Sequence, residues 1–165
     1  MGHNVITRLT KIITSAFVAT VAGTAHAEPA HETIVPEGWE RAYEGLHYAP
    51  AVKAGDFLIL SGVVAGLGPD DDNPAHKDEE AAYVRAFEAI SNILAASGAT
   101  WAQVIELETF HTDLPAQIDT FAKVKDRYIR EPYPTWTAID IDRLYPDRGL
   151  VEIKITAYIG ETEKN

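Results

Sequence analysis

An α+β domain, with two helices packed on one face of a mixed β-sheet, is predicted by three features of this 165-residue chain. Two segments, within residues 82–94 and 118–129, repeat apolar side chains at three- and four-residue spacing, the period of a helix with one buried face. Two C-terminal segments, residues 135–143 and 150–158, alternate with the period of a strand. A continuous apolar run at 57–60 is bounded by turn residues, as a buried strand would be. The length suits one domain with its own core.

Taken in order, residues 28–40 are polar, with Pro29, Pro36 and Gly38, and read as an irregular lead-in to a domain over 41–160. A weak extended segment over 41–51 and the apolar run at 57–60 flank the turn Ala54-Gly55-Asp56, which suggests a hairpin. Residues 66–80 form a long polar loop. Its Asp70-Asp71-Asp72-Asn73-Pro74 lacks the spacing and the distal Glu of a calcium loop, and reads as a solvated acidic turn. Asp78 caps the first helix, Glu79 and Glu80 suit its first turn, and Gly98 stops it. The next strand, 104–109, puts Ile105, Leu107 and Thr109 on one face and Glu106 and Glu108 on the other. Asp113 and Pro115 open the second helix, which buries Ile118, Phe121, Ala122 and Ile129. In the last two strands Thr137, Ile139 and Ile141, and Val151, Ile153, Ile155 and Ala157, face the helices. Trp136 and Glu152 fall on the opposite face, where Trp136, Ala138 and Tyr158 beside charges suggest a subunit interface. The expected order is β-β-α-β-α-β-β, with a polar tail at 161–165.

Charge narrows the partners. The formal net charge is −11, which disfavours nucleic acid and anionic membrane surfaces. No Cys is present, so disulfides and thiolate chemistry are excluded. Residues 1–27 contain no acid. Arg8 and Lys11 precede an apolar run over 12–22, and Ala25-His26-Ala27 supplies a small-x-small cleavage site. This is the pattern of a secretory signal removed after Ala27, with an uncleaved anchor or a mitochondrial presequence as competing readings. Loss of Arg8 and Lys11 with the leader takes the net charge to −13, and the mature protein is expected to be periplasmic or secreted.

Candidate chemistry is sparse. Trp136 and Glu152 in one interfacial crevice could hold a small ligand, a cationic one included; alternatively Trp136 anchors an interface and Glu152 pairs with Lys154 or a neighbour. His111, close to Asp113, is either a general base or a strand-end side chain satisfied by local hydrogen bonds. His47 and His76 lack ligand spacing, so no metal site is expected. Ser61-Gly62 lacks the context of a nucleophile elbow, and no phosphate loop or dinucleotide fingerprint is found.

Several motifs, in order, resemble the Rid family, the reactive-intermediate deaminases once called the YjgF family. They are Tyr48-x-Pro50-Ala51-Val52-x-x-Gly55-Asp56 with Ser61-Gly62; Ala89-x-x-Asn92-Ile93-Leu94 with Gly98-Ala99; and Phe110-x-Thr112-Asp113-Leu114. The C-terminal signature is Pro134-Thr135-Trp136-Thr137, Arg143-Leu144 and Val151-Glu152-Ile153-Lys154 with Ala157, so the resemblance spans about residues 41–159. It implies a chorismate-mutase-like fold, a homotrimer with small-molecule sites between subunits, and cofactor-free hydrolysis of enamines or imines to a 2-oxo acid and ammonia. Glu152 corresponds to the glutamate that positions the attacking water, and Tyr48, Ser61 and Gly62 to pocket positions. Two positions depart. The family's deaminases carry an arginine two residues after the signature proline, where it grips the substrate carboxylate; this chain has Trp136, which cannot make those paired charge-assisted bonds. The pocket asparagine of the second helix corresponds to Lys125. Arg143 matches a different position and does not replace the arginine. Three readings follow: a deaminase of altered specificity, a non-catalytic ligand-binding trimer and, disfavoured by charge, a ribonuclease.

Overall fold

A computed structural model describes residues 29–67 and 78–161. The leader, the acidic turn, His76 and most of the polar C-terminal tail lie outside these residues.

Among the described residues seven strands form one sheet: β1 (Glu32–Ile34), β2 (Ala51–Ala54), β3 (Phe57–Leu60), β4 (Val63–Gly66), β5 (Val104–His111), β6 (Thr135–Asp140) and β7 (Gly149–Tyr158). Their order is β1-β2-β3-β7-β5-β6, with β4 also paired to β7. β3 and β4 share one edge of β7, β3 pairing with residues 156–158 and β4 with 149–153. Every pairing is antiparallel except β5 with β6, which are joined through a helix as parallel neighbours must be.

The helices are α1 (Glu40–Leu46), α2 (Glu79–Ala96) and α3 (Leu114–Tyr128). Asp78 caps α2 by accepting the Ala81 N–H at 2.9 Å, and Gly98 takes a left-handed φ of +70° just after it. Asp113 caps α3, and Asp140 of β6 accepts the Leu114 N–H at 3.1 Å, tying the helix start to the sheet edge. The core lies between the helices and one sheet face. Tyr83, Phe87, Ile90, Ile93, Leu94, Phe121 and Val124 meet Leu58, Leu60, Leu107, Val151, Ile153, Ile155 and Ala157 there.

The strands of the C-terminal half depart from expectation in one instructive way. β7 alternates as predicted, with Val151, Ile153, Ile155 and Ala157 all buried. β6 is inverted. Its register pairs Leu107 with Trp136 and Thr109 with Ala138, and residues paired across a ladder share a face. Trp136, Ala138 and Asp140 therefore lie on the helix side, while Thr137 and Ile139 lie on the open side. An edge strand with Thr137 and Ile139 both exposed carries an alternation that does not report burial. In β5 the register shifts between Val104 and Glu106, which leaves Ile105 exposed while Val104, Leu107, Thr109 and His111 turn inward. In α3 Gln117, Phe121 and Val124 are buried, Ile118 and Ala122 only half-buried.

Three elements were not foreseen. β1 lies within the supposed lead-in and pairs with β2. α1 occupies most of the segment read as extended; it buries no residue, so it leaves no periodic apolar signature. β4 is only four residues long and follows Ser61-Gly62 directly. The described residues thus hold three helices, not two.

Candidate functional site

The sequence-predicted site residues fall into two groups on opposite edges of the sheet. At the β4 edge, Tyr48, Ser61, Gly62 and Glu152 line one cavity of about 640 Å³. His47 ends α1 in a left-handed conformation and turns the chain so that Tyr48, 38% exposed, reaches the cavity. Ser61 is fixed at both ends of the residue: its N–H donates to Pro50 O at 2.9 Å and its hydroxyl to Ala49 O at 2.6 Å. That hydroxyl proton is committed, so Ser61 shapes the cavity and is no nucleophile.

Glu152 stands on the open face of β7, opposite Val64 of β4. Its carboxylate lies directly over Gly62, where any side chain would overlap it. A side chain at this position would have to displace the Glu152 carboxylate. Among the described residues none hydrogen-bonds or ion-pairs with this carboxylate. The cavity is completed by Trp39, Leu46 and Tyr145, and by Ala82, Ala86 and Ala89 along one stripe of α2 with Arg85 beside them. Arg85 donates to Gly66 O at 3.2 Å. A carboxylate and a guanidinium in one aromatic-walled cavity suit a small polar or zwitterionic ligand.

At the β6 edge, Trp136 and Lys125 line a second, smaller cavity of about 290 Å³ with Leu107, Ile129, Tyr133 and Pro134. Lys125 Nζ sits 5.0 Å from the indole centroid and 2.7 Å from Asp126 Oδ1. Its side chain is 13% exposed, so this ammonium is held by a ring and a carboxylate and does not sample solvent freely. The Trp136 ring lies against Phe121 at 5.9 Å, and its Nε1–H donates to Thr109 Oγ1 at 3.0 Å.

Trp136 and Glu152 consequently do not share a crevice within one chain; they lie on opposite faces of the sheet. Glu152 does not pair with Lys154, which ion-pairs with Glu108 at 3.4 Å. His111 is fully buried, hydrogen-bonded to Gln117 and Thr109, and burial lowers its pKa. It is the satisfied strand-end histidine, remote from solvent. No group of three metal-ligating side chains occurs among the described residues.

Comparison with known proteins carries this arrangement to a family. Residues 39–159 match the family model described as Endoribonuclease L-PSP. The chain belongs to the Rid/YjgF (RutC, L-PSP) family. It is 33% identical over 130 residues to the RutC family protein YjgH of Escherichia coli, covering 78% of this chain and 95% of that one. The structure of YjgH superposes with a TM-score of 0.68 at 31% identity, over 81% of this chain and all of the other. RidA from an Antarctic Psychrobacter gives 0.60 at 27% identity, over 80% and 100%. The RutC family protein PH0854 of Pyrococcus horikoshii is 30% identical over 114 residues, 67% of this chain and 86% of that one. The expected Rid-like α+β fold with a mixed sheet is thus found.

Within this Rid protein, Arg85, Trp39 and Tyr145 are cavity residues that the sequence reading missed. Only Arg85 left a signal, the alanines at 82, 86 and 89 that put a small-residue stripe beside it on α2.

Proposed function

We propose that this Rid protein binds a small imine or enamine between subunits of a homotrimer and hydrolyses it to a 2-oxo acid and ammonia, without a cofactor. The observation that carries this is the Glu152 carboxylate, uncommitted among the described residues and seated over Gly62 in the larger cavity. In that role Glu152 takes a proton from water as its oxygen bonds to the C=N carbon. That proton passes to nitrogen to give a carbinolamine; the hydroxyl proton then follows it by way of Glu152, the C–N bond breaks, and ammonia leaves as the carbonyl forms, an enamine entering as its imine tautomer. Tyr48 and Ser61 shape the ligand's berth.

The two half-sites support the intersubunit arrangement. They sit at opposite sheet edges, so a head-to-tail contact, repeated around a closed ring, would join the β4 edge of one subunit to the β6 edge of the next. The open face adds exposed apolar surface, with Phe57, Ile59 and Ile139 each more than a third exposed.

A second reading is a non-catalytic ligand-binding trimer. It is favoured by Trp136, whose indole is packed between Phe121 and Lys125 at the position where the family's deaminases carry an arginine. Ribonuclease activity is disfavoured by the net charge of −11, since phosphate backbones are bound by basic surfaces. We place the protein outside the cytoplasm on its leader pattern. Fractionated cells and N-terminal sequencing check this, with a mature chain starting at Glu28 as the expected result.

The deciding assay is ammonia release by the chain lacking residues 1–27, with 2-iminobutanoate generated in situ by a threonine dehydratase. Acceleration by the wild type that Glu152→Gln abolishes supports the enzyme. Activity only in Trp136→Arg supports the binding protein. A monomer by light scattering overturns the intersubunit site.

A further inference from the structure

Behind Trp136 runs a buried hydrogen-bond chain that the catalytic reading does not use. The indole Nε1–H donates to Thr109 Oγ1 at 3.0 Å. The same oxygen lies 3.0 Å from His111 Nε2, and His111 Nδ1 lies 3.2 Å from Gln117 Oε1. Gln117 Nε2 then donates to Thr112 Oγ1 at 3.2 Å, and that hydroxyl donates to Leu150 O at 3.1 Å. Thr109 and His111 are fully buried, and Gln117 is nearly so.

The two ends of this chain fix where its protons lie. The Asp113 backbone N–H, which can only donate, points at Gln117 Oε1 at 3.4 Å, so that oxygen is an acceptor. The His111 Nδ1 facing it must then carry a hydrogen. At the other end an indole N–H can only donate, so Thr109 Oγ1 accepts it and turns its own hydrogen to His111 Nε2. The imidazole is neutral and Nδ1-protonated, an assignment made from the partners. Burial, which lowers the His111 pKa, favours the same state; the hydrogen bond to Gln117 and, after it, Asp140 act in the opposite sense.

We propose that Thr109 and His111 are positioning residues that fix the orientation of the Trp136 indole, and through it the shape and ligand selectivity of the Lys125 cavity. The proposal rests on reading that cavity as one half of the site. Thr109 is the pivot, because it is the only hydrogen-bond partner of the indole among the described residues. Without that acceptor the part-buried indole loses its partner and, with 37% of Trp136 already exposed, has reason to turn toward solvent, releasing the Lys125 ammonium that rests on the ring. Phe121 packs on both members, 5.9 Å from Trp136 and 5.2 Å edge-on to His111, so the two move as one packed unit.

Thr109→Val removes the hydroxyl at nearly constant shape, and Thr109→Ser keeps it. The first readout is the Trp136 indole N–H resonance, assigned by its loss in Trp136→Phe. Its hydrogen exchange is expected to quicken about tenfold or more in Thr109→Val and to stay near wild type in Thr109→Ser. The second is calorimetric binding of 2-oxobutanoate and of phenylpyruvate. The ratio of their affinities is expected to shift about fivefold in Thr109→Val and to return in Thr109→Ser. Should Thr109→Val fail to fold, the wild-type indole resonance must follow the titration of His111. An indole signal indifferent to Thr109 and to His111 overturns the proposal, as does an unchanged affinity ratio with a freed indole. A wild type that binds neither acid overturns the function reading instead, and the indole measurements still decide the positioning role.

Discussion

The two edges of the sheet hold their polar groups in opposite ways. At the β4 edge the Glu152 carboxylate has no partner among the described residues and lies over a glycine, in a cavity of about 640 Å³. At the β6 edge, Lys125 is tied to Asp126 and to a ring, the Trp136 N–H to Thr109, and His111 at both nitrogens, around a cavity less than half that size. An uncommitted carboxylate can take up a proton or a ligand without breaking any bond of the fold. A committed network resists rearrangement, since each displaced buried donor would be left unpaired. One edge is therefore equipped to act and the other to hold a shape.

The largest effect that tests this contrast is steric. Gly62→Ala places a methyl group where the Glu152 carboxylate now sits, and Gly62 has no left-handed backbone that would strain the change for another reason. Displacing the carboxylate is expected to lower imine hydrolysis about 100-fold, with little change in melting temperature. Full activity in that variant would show that Glu152 does not act from this position. Next in size is a pair of truncations compared by urea unfolding. Trp136→Ala loses its packing on Phe121 and the bond to Thr109, and is expected to cost about 2–4 kcal/mol. Glu152→Ala should cost about 0.5 kcal/mol or less, having no bond to lose. Equal costs would erase the distinction between the edges.

How much of this was legible in the sequence follows the same division. β7 and α2 were read correctly because each separates a fully buried face from a wetter one, and burial is what apolar periodicity records. β6 is a mostly exposed edge strand, so its aliphatic residues mark the open face and its indole the inner one, the reverse of the usual pattern. Ile105 was misplaced by one irregularity of register that no residue type announces. Tyr48, Ser61, Gly62 and Glu152 were grouped through the family motifs, and the fold brings those four together. Placing Trp136 and Glu152 on one face of the sheet failed because the face of β6 was misread. The Thr109–His111–Gln117 chain was invisible for a different reason: it links two residues of a strand to one on a helix, and neither composition nor period encodes that.

The smallest effect is a titration, and it falls on the committed edge alone. Burial holds the His111 pKa below its ordinary 6.5, so the neutral ring is the folded state's preferred form. Above about 6.5 that preference costs nothing, because the unfolded chain is neutral there too. As the pH falls through 6.5 toward the lower folded value, the unfolded chain binds a proton that the folded one refuses, and stability declines. One proton limits the slope to about 1.4 kcal/mol per pH unit. Urea midpoints between pH 7.5 and 5 should therefore fall in the wild type and fall less in His111→Gln, which cannot titrate. The Trp136 indole signal should change only lower in pH, as the folded ring itself takes up a proton, because a protonated Nε2 would donate to Thr109 Oγ1 and turn that hydroxyl's hydrogen toward Thr137 O, 3.4 Å away. Identical slopes in the two proteins would mean that the buried ring is not where this edge meets the solvent's pH, and would leave the indole held by packing against Phe121 instead.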